Sequence, residues 1–268
     1  MNPLDALFQR LRAEKRAALM PFLTAGDPDL AFTQQLLPRM AAAGADLFEI
    51  GFPFSDPIAD GPVIQASYTR ALRHGLKLAD IFRSLHEVHQ TWKAKPTPLV
   101  AMASYSLIYR MGATAFIEAA QNAGLCGAVL PDLPVEEANE FASVAQERNF
   151  HPILLVTPTT SPARAEKVVK VCRGFVYVVS VVGITGTREA LPAALREQIA
   201  RLRTLTDLPL CVGFGVSTPD HVRELQTIAD GVIVGSALVK HLENASSDRT
   251  AALTAVCQLV KELRAALG

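Results

Sequence analysis

Short apolar, β-branched runs alternate with longer amphipathic ones along the whole chain. Candidate strands are Leu19–Thr24, Leu47–Ile50, Leu99–Ala103, Ala128–Leu130, Ile153–Val156, Val176–Val179, Leu210–Val212 and Val232–Val234. Between them, helical periodicity covers Leu30–Ala43, Leu78–Lys93, Ala113–Ala123, Val135–Arg148, Pro162–Val171, Pro192–Leu205 and Asp220–Ile228. Pro3–Glu14 adds a helix ahead of the first strand, and a last helix runs from about Arg249 to Ala266. This alternation dictates a parallel sheet, because consecutive parallel strands need a crossover and the crossover is right-handed. An open doubly wound sheet uses about five or six strands. Eight units with no linker between them predict a closed α/β barrel, (β/α)8, with an extra N-terminal helix. The 268 residues suit one domain, 1–268, since single barrels commonly reach about 250 residues.

A formal net charge of zero argues against a nucleic-acid or anionic-membrane binder, which normally carries a basic excess. Residues 1–16 mix polar and apolar side chains, unlike a secretory signal. No apolar stretch approaches the roughly 18 residues of a membrane span. Cys126, Cys172, Cys211 and Cys257 stand far apart in no metal spacing, so they read as reduced core thiols of a cytoplasmic protein. His86 and His89 fall on one helix face but lack further ligands, and no metal site is expected.

The stretch from Phe48 to Pro62 carries the chemistry. Within Asp46–Ile50, strand alternation puts Leu47 and Glu49 on one side and Phe48 and Ile50 on the other. Glu49 therefore points into the barrel near the top of the second strand. An interior carboxylate is costly to keep, so a functional role is favoured over a capping one, and a low-dielectric setting would suit it to proton transfer. Asp56, between Ser55 and Pro57, reads as ordinary Asx-turn chemistry. Asp60 precedes Gly61-Pro62, where a helix can open. Position alone leaves Asp60 balanced between an N-cap and a second carboxylate of the site.

The second half adds a candidate anion site. Gly213-Phe214-Gly215 follows the seventh strand, and Gly235-Ser236 follows the eighth and opens a short apolar helix. Glycines at strand ends let backbone amides approach an anion, and a helix start adds unpaired N–H groups. Barrels commonly bind phosphate in those two loops. Ser180–Thr187, rich in Gly and hydroxyls, suits either a loop that closes over a ligand or a disordered surface loop. Phe22, Leu155 and Tyr177 alternate into the barrel top, where most such residues simply fill core, though an aromatic-lined pocket beside carboxylates also suits an indole-sized ligand.

Taken in order, these motifs resemble the tryptophan synthase α subunit family over essentially the full length. The most specific part is Glu49-Ile50-Gly51 with Pro53–Gln65. Support comes from Phe22–Pro28, Pro131–Pro134, Gly183–Gly186, Gly213–Gly215 and Gly235-Ser236. The resemblance implies a phosphate-binding TIM barrel that cleaves indole-3-glycerol phosphate to indole and glyceraldehyde 3-phosphate. It implies Glu49 as general acid/base and Asp60 as the group polarising the indole N–H. It implies Phe22 and Tyr177 around the indole ring. The phosphate is expected on amides of Gly186, Gly215, Gly235 and Ser236, with Thr185 approaching Asp60 when the loop closes. No cofactor is expected on this chain. A pyridoxal-phosphate β subunit is the implied partner, in an α2β2 assembly. A stand-alone lyase and a weakly catalytic activator of β are the alternatives. Departures from the family pattern are Ser104–Leu107 where many members carry a Tyr-Asn-Pro-like run, Val181 where several carry Arg, and Phe48 before the glutamate.

Overall fold

A computed structural model describes residues 1–57, 60–73, 75–92, 97–180, 193–213 and 215–268. In chain order the elements are α1 Pro3–Ala13, β1 Ala18–Thr24, α2 Leu30–Ala42, β2 Phe48–Gly51, α3 Pro62–Leu72 and α4 Leu78–Thr91. Then come β3 Leu99–Met102, α5 Tyr105–Met111, α6 Ala113–Asn122, β4 Leu125–Val129, α7 Asn139–Glu147, β5 His151–Ile153 and β6 Leu155–Val156. The rest are α8 Pro162–Val171, β7 Val176–Val179, α9 Ala193–Arg203, β8 Leu210–Gly213, α10 Pro219–Leu225, β9 Gly231–Val234, α11 Ser236–Lys240 and α12 Arg249–Ala265.

All strand pairs are parallel, in the order β5-β4-β3-β2-β1-β9-β8-β7-β6. The two outermost strands, β5 and β6, are separated by Leu154 alone, so they are two halves of one barrel strand. The first half pairs with β4 and the second with β7, which closes the (β/α)8 barrel. The continuous run Ile153–Val156 read from sequence is therefore broken. At the break the Leu154 amide donates to the Cys172 thiol (3.2 Å), while the Leu154 carbonyl accepts from Tyr177 (3.2 Å). The strand changes partner at that residue.

Side-chain alternation divides the core in two. Met20, Phe22, Leu47, Val100, Met102, Tyr177, Cys211 and Ile233 fill the barrel interior. Leu23, Phe48, Ile50, Ala101, Val178 and Val212 face the helices. One residue of register slip would exchange these sets. The far end of the barrel is stoppered by α1, whose Leu4, Leu7, Phe8 and Leu11 join the interior cluster. Asn2, which caps α1, also donates to the carbonyls of Cys126 (2.9 Å) and Asn149 (2.8 Å).

Three helical readings change. The run from Val135 to Arg148 splits into a 3-10 turn at Val135–Glu137 and α7. α3 and α5 are not among the helices given bounds from sequence, although a helix opening at Pro62 is read. Seven residues are too few for α5 to show a 3.6-residue period. α3 opens on Pro62, where Pro has no amide to waste and a φ suited to a helix.

Candidate active site

Two adjacent strands bring the first aromatic ring and the first carboxylate together. Phe22 on β1 and Glu49 on β2 are register partners, both pointing inward. Across the barrel, Tyr177 on β7 partners Cys211 on β8. Each aromatic ring lies over a glycine of the neighbouring strand. A Cβ on Gly51 would sit 2.4 Å from the Phe22 ring, and one on Gly213 would sit 2.1 Å from the Tyr177 hydroxyl. Both distances are far inside contact, so both glycines make room for the rings. Sequence reading placed Gly213 in an anion loop and gave Gly51 no role; neither was read as shaping the pocket.

Phe22, Glu49, Asp60, Tyr177, Gly215, Gly235 and Ser236 line one cavity, a few polar groups converging on a largely apolar wall as in small-molecule sites. Seven of the nine site residues read from sequence thus meet in one place. The other two, Thr185 and Gly186, lie outside the described residues, as does most of the Ser180–Thr187 loop. Leu155 packs at the edge of the interior cluster. Ile64, Met102, Val216 and Ile233 complete the apolar wall. Alternation from Val100 would have found Met102; Ile64 comes from α3, of which sequence offers only the opening.

Glu49 is almost wholly buried, at 1% exposure, and its Oε1 has no hydrogen-bond partner among the described residues. Burial first, and then the charge of Asp60, raise its proton affinity to a pKa of about 8. Asp60 is raised to about 6, by burial first and then by Asp132. Between those values the resting site holds a protonated Glu49 and an ionised Asp60. Asp60 is not an N-cap: Gly61 holds that position in α3 without any side-chain bond. Its backbone instead closes the loop, the amide donating to Pro57 (3.2 Å) and the carbonyl accepting from Gln65 (2.8 Å).

α3, which follows Asp60 directly, is fastened to the loop after β1. Thr24 and Ser67 share a buried hydrogen bond of 2.6 Å, and Arg70 grips Asp27 with two bonds of 2.8 and 2.6 Å. Tyr68 of α3 is buried beside both carboxylates, and burial, then Asp60 and Glu49, raise its proton affinity well above a normal phenol. In the two loops near the strand ends, Gly215 has φ +79°, a left-handed conformation that favours glycine. Gly235 precedes α11, whose first residue is Ser236.

A second cavity shares Asp60 and Met102 with the first, and Tyr68, Asp56, Ser104 and Asp132 also line it. Asp56 is exposed and accepts from Ser55 (3.0 Å), in keeping with a loop role. No His/Cys/Asp/Glu group among the described residues is arranged to hold a metal. His86 instead bonds the carbonyl of Asn122 (2.6 Å). No helix among the described residues is long and apolar enough to cross a membrane.

Residues 8–267 match the family model of the tryptophan synthase alpha chain. The chain belongs to that family. It is 48% identical to the tryptophan synthase alpha chain of Rhodopirellula baltica, over 91% of this chain and 88% of the relative. It is 45% identical to that of Synechocystis sp., over all of both chains. Among solved structures, the tryptophan synthase alpha subunit of Legionella pneumophila superposes with a TM-score of 0.90 at 34% identity, over 100% of this chain and 98% of that one. A chain of Mycobacterium tuberculosis tryptophan synthase gives 0.89 at 33%, over 98% and 97%. The barrel and its extra leading helix are those of the tryptophan synthase alpha family.

Proposed function

We propose that Glu49 and Asp60 carry the retro-aldol cleavage of indole-3-glycerol phosphate to indole and glyceraldehyde 3-phosphate. That cleavage is the lyase reaction of tryptophan biosynthesis performed by the tryptophan synthase alpha chain family, to which this chain belongs. The observation that carries the residue assignment is the pairing of two carboxylates in one cavity with proton affinities pushed apart, Glu49 above Asp60.

C3 of an intact indole is a poor carbanion leaving group, so the ring must first be protonated there. Protonated Glu49 delivers that proton, and Asp60 offsets the positive charge growing on the ring nitrogen. The bond from C3 to the side chain then breaks. Its electrons restore the ring double bond as the side-chain hydroxyl gives its proton to the Glu49 carboxylate. The aldehyde forms, Glu49 regains its proton, and no charge is left over. Phe22 and Tyr177 hold the indole ring. Amides of Gly215, Gly235 and Ser236, with Gly186, hold the phosphate, and Thr185 closes toward Asp60.

The whole of 1–268 works as one barrel domain in the cytoplasm, without a cofactor of its own, and passes indole to a pyridoxal-phosphate β subunit in an α2β2 assembly. The naming of neighbouring structures as tryptophan synthase supports that partner. Indole release from indole-3-glycerol phosphate, assayed alone and with β subunit, is the test. Glu49→Gln is expected to lose at least about 100-fold in kcat, the scale of general acid/base catalysis, with substrate affinity little changed. Full turnover by that variant would sink the assignment. High kcat in the absence of β would favour a stand-alone lyase instead.

A further inference from the structure

Asp60 shares one cavity with Glu49 and a second with Asp132 and with the exposed Asp56 of its own loop. Glu49 meets it in the first cavity. Asp132, on the loop after β4, meets it in the second. Asp132 is held from outside the site: Ser104 donates to one oxygen at 2.6 Å and the Tyr105 amide to the other at 2.7 Å. Those two residues are the cap and first residue of α5. A carboxylate that accepts from a hydroxyl and a backbone amide at once is fixed in place. We propose that Asp132 is a positioning residue for the lyase reaction, a fixed negative charge that faces Asp60 across the second cavity and keeps it a strong acceptor toward the indole N–H. The proposal rests on the role given to Asp60 above.

The other groups around Asp60 are accounted for. Glu49 on β2 is neutral while it holds its proton. Tyr68 on α3 and Tyr177 on β7 are buried phenols pushed toward their neutral forms. Asp56 shares the loop of Asp60 and is exposed. After burial, the charge of Asp132 raises the proton affinity of Asp60. A more basic Asp60 draws the indole N–H proton more firmly as C3 is protonated, so the effect appears in the chemical step.

The test is a carbon-13 carboxyl NMR titration of Asp60 in the free full-length chain, beside the pH profile of kcat/KM. Asp132→Asn keeps the shape and the bond from Tyr105 but removes the charge. It is expected to lower the Asp60 midpoint from about 6 toward the ordinary carboxylate range and to move the acid limb of the profile with it. Ser104→Ala keeps the charge, and the Asp60 midpoint is expected to stay near the parent value. An unmoved midpoint in folded Asp132→Asn overturns the proposal. So does an equal shift in Ser104→Ala, which would make the effect one of loop structure. Failure of the catalytic reading is separate: it would show as full activity in Asp60→Asn, whatever the titration gave.

Discussion

Glu49 makes a demand that its neighbours answer unequally. Its burial costs free energy as long as it is charged, and the structure removes the charge by holding the proton up to about pH 8. Asp60 releases its proton near 6. The sign follows for each limb: below about 6 Asp60 is neutral and cannot offset charge on the ring nitrogen, and above about 8 Glu49 has no proton to give. A bell-shaped kcat/KM with limbs near those values is expected from initial rates across pH 5–9. A profile flat across that range would contradict the assignment of roles. At this scale the strand residue was readable and the loop residue was not. Glu49 follows from a period of two, whereas Asp60 faces its cavity because Gly61 caps α3 in its stead. Asp132 was invisible as a partner of Asp60, since 72 positions separate them and only the barrel brings their loops together.

Among the elements, α3 matters most to the site, and sequence offers only its opening at Pro62. It supplies Ile64 to the cavity wall and Tyr68 beside the carboxylates. Its position depends on Arg70, which reaches a wholly buried Asp27 carboxylate on the loop after β1. Removing one partner of such a pair leaves an unmatched buried charge, at a cost of about 3–5 kcal/mol. Arg70→Ala is therefore expected to lower stability by about that amount in a denaturant melt, and to raise KM as α3 and the Asp60 loop drift. Arg70→Ala with parental stability would mean that Asp27 finds another partner. The long amphipathic helices were legible because each repeats its apolar face several times. α3 and α5 were not, because their neighbours hold them: Thr24 and Asp27 in one case, Asp132 in the other.

Across the whole molecule the barrel separates stability from chemistry along its axis. Strand ends at one mouth carry the cavity, and the other mouth is filled by α1. Phe8 packs against Phe175 with ring centroids 6.0 Å apart, and Asp5 meets His151 at 2.9 Å. Phe8→Ala is expected to cost about 3–5 kcal/mol, the usual price of an emptied aromatic core position. KM for the substrate should be unchanged at temperatures where the variant stays folded. Urea melts and initial rates on the same sample test both halves, and a raised KM would show that the plug reaches the site. Eight repeated units made the barrel legible as a count, but not the switch of partners at Leu154, where the amide bonds a cysteine 18 residues away.

The position of α1 also bears on the order of events at the ribosome. This helix leaves well ahead of its anchors, which are the carbonyls of Cys126 and Asn149, the imidazole of His151, the ring of Phe175 and the carbonyl of Asp207. During synthesis, at about 5–20 residues per second, its stripe of Leu4, Leu7, Phe8 and Leu11 waits many seconds with nothing to cover. The helix cannot be seated until residues as distant as Asp207 have emerged, so a nascent chain of this kind exposes a greasy helix for much of its synthesis.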